Sequence, residues 1–308
     1  EDVEVIGGPA PFGVSPDGQH AYSGLRTAKS MISFAIDEST GTLTRTGEVD
    51  LESDPCYVSV DATGRYLLSA YYSAGHIAVH PIDSTGALGD LATVWNGTRP
   101  KAHCAHTDPS NSFTFLPHVG ESNVIYQYRF DADSGSLTPN DPPIVEAPEG
   151  DGPRHYAYHP HASYVYFDNE QGCSVTAYSF DPDTGTLSPL QTVSTLPDGW
   201  SGDNSCAQLH MTPSGDFLYA TNRGHNSIAM FAVDPASGRL TALGQQLTVG
   251  TPRAFGIDPT GKYMLVGGLD DGDLATYRID DASGRLTYIT TQPVGDQPMW
   301  IHITDPVD

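Results

Sequence analysis

Lysine is nearly absent from this 308-residue chain: three residues, against 11 arginines and a formal net charge of −24. Phosphate backbones and acidic membrane surfaces are gripped by clustered Lys and Arg, so neither nucleic acid nor a membrane is an expected partner. Long apolar runs are also missing, which leaves no span for a bilayer and no charged-then-apolar leader. The four cysteines, Cys56, Cys104, Cys173 and Cys206, have no metal-type spacing. They read as buried free thiols, and the lack of a disulfide framework favours the cytoplasm. No window has sustained helical periodicity. A Gly-x-Ser-x-Gly nucleophile turn, a phosphate-cradling glycine loop and a dinucleotide fingerprint are all lacking, so no cofactor is implied. The sequon Asn96-Gly97-Thr98 is a short match and carries no weight.

What is present is a repeat. The turn Asp-x-x-Ser/Thr-Gly-x-Leu begins at Asp37, Asp131, Asp181, Asp234 and Asp280, with a copy one residue shorter at Asp83. Its glycines, Gly41, Gly86, Gly135, Gly185, Gly238 and Gly284, recur every 45 to 53 residues, the length of one four-stranded propeller blade. Each unit opens with a short apolar strand closed by a tight turn, as in Phe12 to Gly18 or Phe255 to Gly261. An aromatic and β-branched second strand follows, then an alternating third such as Ile228 to Val233, then the Asp-to-Gly turn and a polar fourth strand.

The expectation is one all-β propeller domain over 1–308, with repeats near 11–54, 55–101, 102–152, 153–204, 205–251 and 252–297. Pro298 to Thr304 reads as a first strand alone, and Val3 to Gly7 as a fourth strand with nothing before it. Together they predict a seven-bladed ring whose closing blade, 298–304 plus 1–7, lacks its middle strands; a six-bladed ring with a spare C-terminal strand is the alternative.

In an antiparallel hairpin the start of the first strand and the end of the second share one end. That placement gathers His103, Arg154, His155, Arg253 and Trp300 with Arg26, Tyr71, Tyr72, His118, Glu170 and Arg223 at one channel mouth. Four of 11 arginines would meet there in an acidic molecule, a funnel suited to a small anion. An arginine in such a channel can equally bond to backbone carbonyls or Asp. His159, His161, His20, His76 and His80 read as structural or surface residues, and His225 is open to ligand contact. Only Glu170 is a carboxylate clearly at the mouth, so no metal site is predicted.

The segments Gly152-Pro153-Arg154-His155, Asn169-Glu170, Tyr219 to His225 with Ser227-Ile228-Ala229, and Pro252-Arg253-Ala254-Phe255 resemble the bacterial propeller-type 6-phosphogluconolactonases, as does the ending Val294 to Trp300. The resemblance covers essentially the whole chain. Its superfamily includes fungal carboxy-muconate cycloisomerases, so it implies a seven-bladed lactone-handling protein more firmly than one substrate. It implies an active site of His103, Arg154, His155, Glu170, Arg223 and Arg253, and first-blade strands that this chain lacks. Two positions depart from the pattern: Gln208 stands where the family usually has an acid, and Pro117-His118-Val119 replaces Pro-Asp/Ala-Leu.

The expected activity is hydrolysis of a sugar-acid lactone without metal. Glu170, His103, His155 and Arg154 are the catalytic candidates, and Arg223, Arg253, Arg26, His118, Gln208, His225 and Trp300 the substrate-binding ones. A small anionic lactone or carboxylate is the expected partner, and no protein partner is required. Cycloisomerisation of a carboxy-muconate and a non-enzymatic binding propeller are the competing readings.

Overall fold

The computed structural model describes residues 3–96 and 99–304, which leaves Gly97 and Thr98 of the sequon outside the described residues. Six consecutive antiparallel sheets make the chain an all-β propeller, each sheet ordered as its strands occur in sequence. Chain contacts divide it into two units, the first three sheets in one and the last three in the other. Apart from strands, the described residues contain a single 3-10 turn, Gly120–Ser122, and no described helix is long and apolar enough to cross a membrane.

The repeated turn has a dual physical reason. In each copy the Asp carbonyl accepts the Gly N–H, as in Gly238 N to Asp234 O at 2.7 Å, and each of these glycines has a positive φ. In the third, fifth and sixth sheets the same glycine also lies against an aromatic ring of the preceding sheet. A Cβ on Gly135, Gly238 or Gly284 would come within 2.4, 2.4 and 2.3 Å of Tyr66, Tyr164 and Phe217. Tyrosines of the second strands then reach into the next sheet's turn: Tyr22 Oη donates to Gly86 O, Tyr66 to Asp133 O, Tyr164 to Ala236 O and Tyr219 to Gly284 O, at 2.8 to 3.1 Å. In these sheets one turn therefore closes its own hairpin and docks the sheet before it.

The tight turn between first and second strands is equally regular. Ser15, Asp61, Asp108, His159, Thr212 and Asp258 each donate their backbone N–H to the carbonyl five residues on. Asp61 is fully buried and accepts from the backbone of Thr63, Arg65 and Tyr66 as well as from Asn111 Nδ2. His159 takes the same place, its Nδ1 accepting the His161 N–H at 3.1 Å, and is a structural residue as its position in the sequence suggested.

Two expectations are corrected. The third sheet has three strands, Phe113–His118, Val124–Asp131 and Ser136–Glu146. Where a first strand was expected from Ala102, only the bridges Ala102↔His118 and Thr107↔Thr114 form. Neither Val3 to Gly7 nor Pro298 to Thr304 is a strand. A ladder needs a neighbour on its hydrogen-bonding edge, and Val5 instead packs on Leu25, Ile32 and Phe34 of the first sheet while Ile301 and Pro298 lie over Gly256 and Gly267 of the sixth.

Candidate active site

The fourth sheet starts with a bulge that sets the site. Pro153 pairs with Asn169 and Tyr156 with Phe167, so Arg154 and His155 together face the single residue Asp168. Two residues against one turn the strand locally and re-aim side chains. The fifth sheet repeats the device, with Ala207 and Gln208 facing Thr221. In both, the residue of the second strand accepts the second bulge N–H: His155 N to Asp168 Oδ1 at 2.6 Å, and Gln208 N to Thr221 Oγ1 at 3.1 Å.

At the ends of these second strands, Asn169 and Asn222 turn inward. Their Nδ2 atoms donate to Ser174 Oγ at 2.9 Å and Ser227 Oγ at 3.2 Å. Strand alternation then delivers the next residues, Glu170 and Arg223, to equivalent places in neighbouring sheets. There a charged cluster forms. Arg154 Nε donates to Glu170 Oε2 at 2.7 Å, and Arg223 Nη2 lies 3.4 Å from the same oxygen while donating to Cys206 O at 2.7 Å. Glu170 Oε1 accepts from Gln171 Nε2 at 3.2 Å.

Electrostatics follow from this packing. Burial works to raise the Glu170 carboxyl, but the Arg154, Arg223 and Arg253 guanidiniums outweigh it and hold the group below the ordinary carboxylate value. Burial lowers Arg223, with Arg154 adding to it, while Glu170 and Asp168 partly offset both. Arg154 is only 2% exposed, whereas the side chains of Glu170 and Arg223 are 17% and 15% exposed. Arg154 Nη1 and Arg223 Nε are buried without hydrogen-bond partners. The cluster therefore carries uncommitted donors beside one partly accessible carboxylate.

The remaining sequence candidates divide. Arg253 joins electrostatically through Glu170, and the Trp300 ring stands 6.2 Å from that of His155. Gln208 is buried and bridges sheets, its Oε1 accepting the Phe255 N–H at 2.9 Å. His225 donates its N–H to Asn204 and places Nδ1 2.7 Å from Ser227 Oγ, with Trp200 edge-on at 4.5 Å. Three candidates belong to the other unit. Arg26 forms an ion pair with Asp54 at 3.2 Å, the carboxylate alternative that sequence reasoning left open. The His103 N–H donates to Pro117 O and its ring meets Tyr72 edge-on. His118 is fully buried, with Nδ1 2.8 Å from Pro100 O, and burial pulls it down to about 4, which keeps it neutral at pH 7. Three of the four cysteines are buried, and none of the four forms a disulfide.

Sequence reasoning missed Asp168 and Trp200. Asp168 stands between apolar Phe167 and the conspicuous Asn169-Glu170, and its partner His155 is 13 positions away, so only the bulge register reveals it. A cavity of about 490 Å³ lined by Val5, Leu25, Ile32, Phe34, Arg45 and Glu48 is in the first sheet and includes no member of the cluster. Among the described residues no group of three or more His, Cys, Asp or Glu could hold a metal ion.

Known proteins resemble this chain along its length. The family model "Lactonase, 7-bladed beta-propeller" matches residues 1–303, although the described residues build six sheets. The 6-phosphogluconolactonase of Pectobacterium atrosepticum is 33% identical over 304 residues, 98% of this chain and 90% of the relative. That of Serratia proteamaculans is 34% identical over 305 residues, with the same coverage. Among solved structures, a periplasmic gluconolactonase of Pseudomonas aeruginosa superposes with a TM-score of 0.89 at 27% identity, covering 96% of this chain and 88% of that one. Matched over nearly its whole length by both sequence and fold, the chain belongs to the β-propeller lactonase family.

Proposed function

We propose that the Arg154–Glu170–Arg223 cluster hydrolyses a sugar-acid lactone, 6-phosphogluconolactone or a related aldonolactone. The observation that carries the reading is the 2.7 Å Arg154–Glu170 contact with Arg223 on the same oxygen, in a family whose relatives are named for lactone hydrolysis. Two guanidiniums on one carboxylate repel a dication, so the donor set suits acid–base and electrostatic catalysis rather than a bound metal.

Glu170 stays ionised at neutral pH, and Oε2 is committed to the arginines. Its Oε1 takes a proton from the attacking water as water adds to the ring carbonyl. Carboxylate basicity is low, but a δ-lactone is a reactive ester and needs only modest assistance. The oxyanion is stabilised by Arg223, with Arg253 adding positive charge or gripping a phosphate or carboxylate on the substrate. Arg154, almost fully buried, positions Glu170 instead of touching substrate. Collapse of the tetrahedral adduct expels the ring oxygen, and the proton held by Glu170 returns to it. His155, against Trp300, stands beside this path as the alternative base.

Proton release from glucono-δ-lactone and its 6-phosphate, corrected for spontaneous hydrolysis, tests the assignment. Arg223→Ala should lower kcat roughly 10² to 10³-fold and Glu170→Gln roughly 10²-fold or more. Turnover within threefold of wild type in both, with folding intact, overturns it. Preference for the phosphorylated lactone identifies the anionic group recognised.

A further inference from the structure

Asp168 takes no part in the hydrolysis described above. It is fully buried on the second strand of the fourth sheet, inside the bulge. Oδ1 accepts the His155 N–H at 2.6 Å, and Oδ2 is buried without a hydrogen-bond partner. The charged groups that act on it are Arg154, Glu170 and Arg223. Cys206 also faces it, but that thiol is itself pushed far up by burial and stays neutral. Counting Arg154, Arg223 and Glu170, the cluster has two positive charges and one negative. A neutral Asp168 leaves it at plus one; an ionised Asp168 cancels it.

We propose that Asp168 is a titratable counter-charge behind the anion site, protonated when an anion is held against Arg223 and ionised more readily when none is, so that anion affinity falls as pH rises through neutrality. This rests on the reading that the cluster binds an anionic substrate, and adds the means by which its affinity is set. The geometry supplies the reason: a carboxyl with one oxygen unbonded and no solvent pays fully for its charge, and only the guanidiniums offset that cost. Burial accordingly raises the group to about 7, against the pull of Arg154 and of the His155 N–H, with Glu170 pushing further up. Its neighbour Glu170 moves the opposite way, so one carboxyl of the pair stays ionised while the other holds a proton. An arriving anion adds negative charge, raises the proton affinity of Asp168 and draws in a proton; linkage then requires tighter binding at lower pH.

Sulfate and gluconate are suitable probes because their own charge is constant between about pH 6 and pH 8, unlike phosphate. Calorimetry on the wild-type protein should show sulfate affinity weakening about fivefold across that range, the change expected from about one unit of displacement of the Asp168 titration. Buffers of different ionisation enthalpy should reveal uptake of a fraction of a proton per sulfate bound. Asp168→Asn keeps an oxygen for the His155 N–H and should flatten the pH dependence to within about twofold. A merely structural role would weaken binding at every pH and leave the slope intact. The same slope in Asp168→Asn, or no proton uptake by the wild type, overturns the proposal; should the variant fail to fold, the wild-type proton count decides alone. A protein that binds sulfate with this signature yet hydrolyses no lactone refutes the lactonase assignment and leaves the counter-charge standing.

Discussion

At the scale of single residues, the site depends on how few charges are placed together and how completely they are enclosed. Arg154 is the extreme case, a guanidinium 2% exposed whose Nε is spent on Glu170. Removing one member of a buried pair leaves the other charge uncompensated, typically at 3 to 5 kcal/mol. Glu170 retains Arg223 and some solvent, so Arg154→Ala should destabilise the protein by about 2 to 4 kcal/mol, read from urea unfolding. The same variant should lose most turnover, because Oε1 is then no longer held in place. Loss of turnover without loss of stability would mean that Arg154 touches substrate directly. Arg154 and Glu170 were legible in the sequence through their strand ends, whereas the commitment of Gln208 to Phe255 N–H was not, since the two are 47 positions apart.

Strands and turns carry a different kind of information. The Asp-to-Gly turn was visible as a repeat, but the sequence alone accounts only for the positive φ of its glycine. In the third, fifth and sixth sheets the fold adds the ring pressed against it from the preceding sheet. Gly238→Ala should therefore cost about 2 to 4 kcal/mol, the left-handed penalty plus displacement of Tyr164, whose hydroxyl is anchored on Ala236 O. Gly41→Ala, with the same sign of φ and nothing within 4 Å, should cost only about 1 to 2 kcal/mol. Equal losses in thermal unfolding would show that the inter-sheet contact contributes nothing. Such a turn, used in six sheets, explains why the period was readable while the bulges were not: a bulge is a mismatch of register between two strands, and neither strand records it by itself.

Over the whole molecule, charge sets the response to acid. Asp37, Asp83, Asp131, Asp181, Asp234 and Asp280 are held below the ordinary carboxylate value by side-chain and backbone hydrogen bonds of their turns. A depressed folded value contributes stability above the unfolded one and loses it as pH falls through the folded value. The histidines His76, His80, His118 and His159, lowered by burial, have the same sign, starting from 6.5. Asp168 and Asp151, raised by burial, contribute in the opposite sense above pH 4. Urea midpoints should thus decline gently below about pH 6.5 and steeply below about pH 4; a flat profile down to about pH 3 would show that the turn carboxylates are not coupled to folding.

The amino-acid sequence by itself determined the all-β class, the number of repeats and the strand ends that gather Arg154, Glu170, Arg223 and Arg253, because periodicity and turn chemistry are local properties. Tertiary structure decided what those residues do to one another. It placed Arg26 in an ion pair with Asp54, reduced the first strand of the third sheet to two bridges, and set Asp168 opposite Arg154 and His155 in the fourth-sheet bulge. Each of these outcomes depends on register and burial between segments distant in the chain, and a carboxyl becomes an uncharged group or a counter-ion only when the fold decides how much water it keeps.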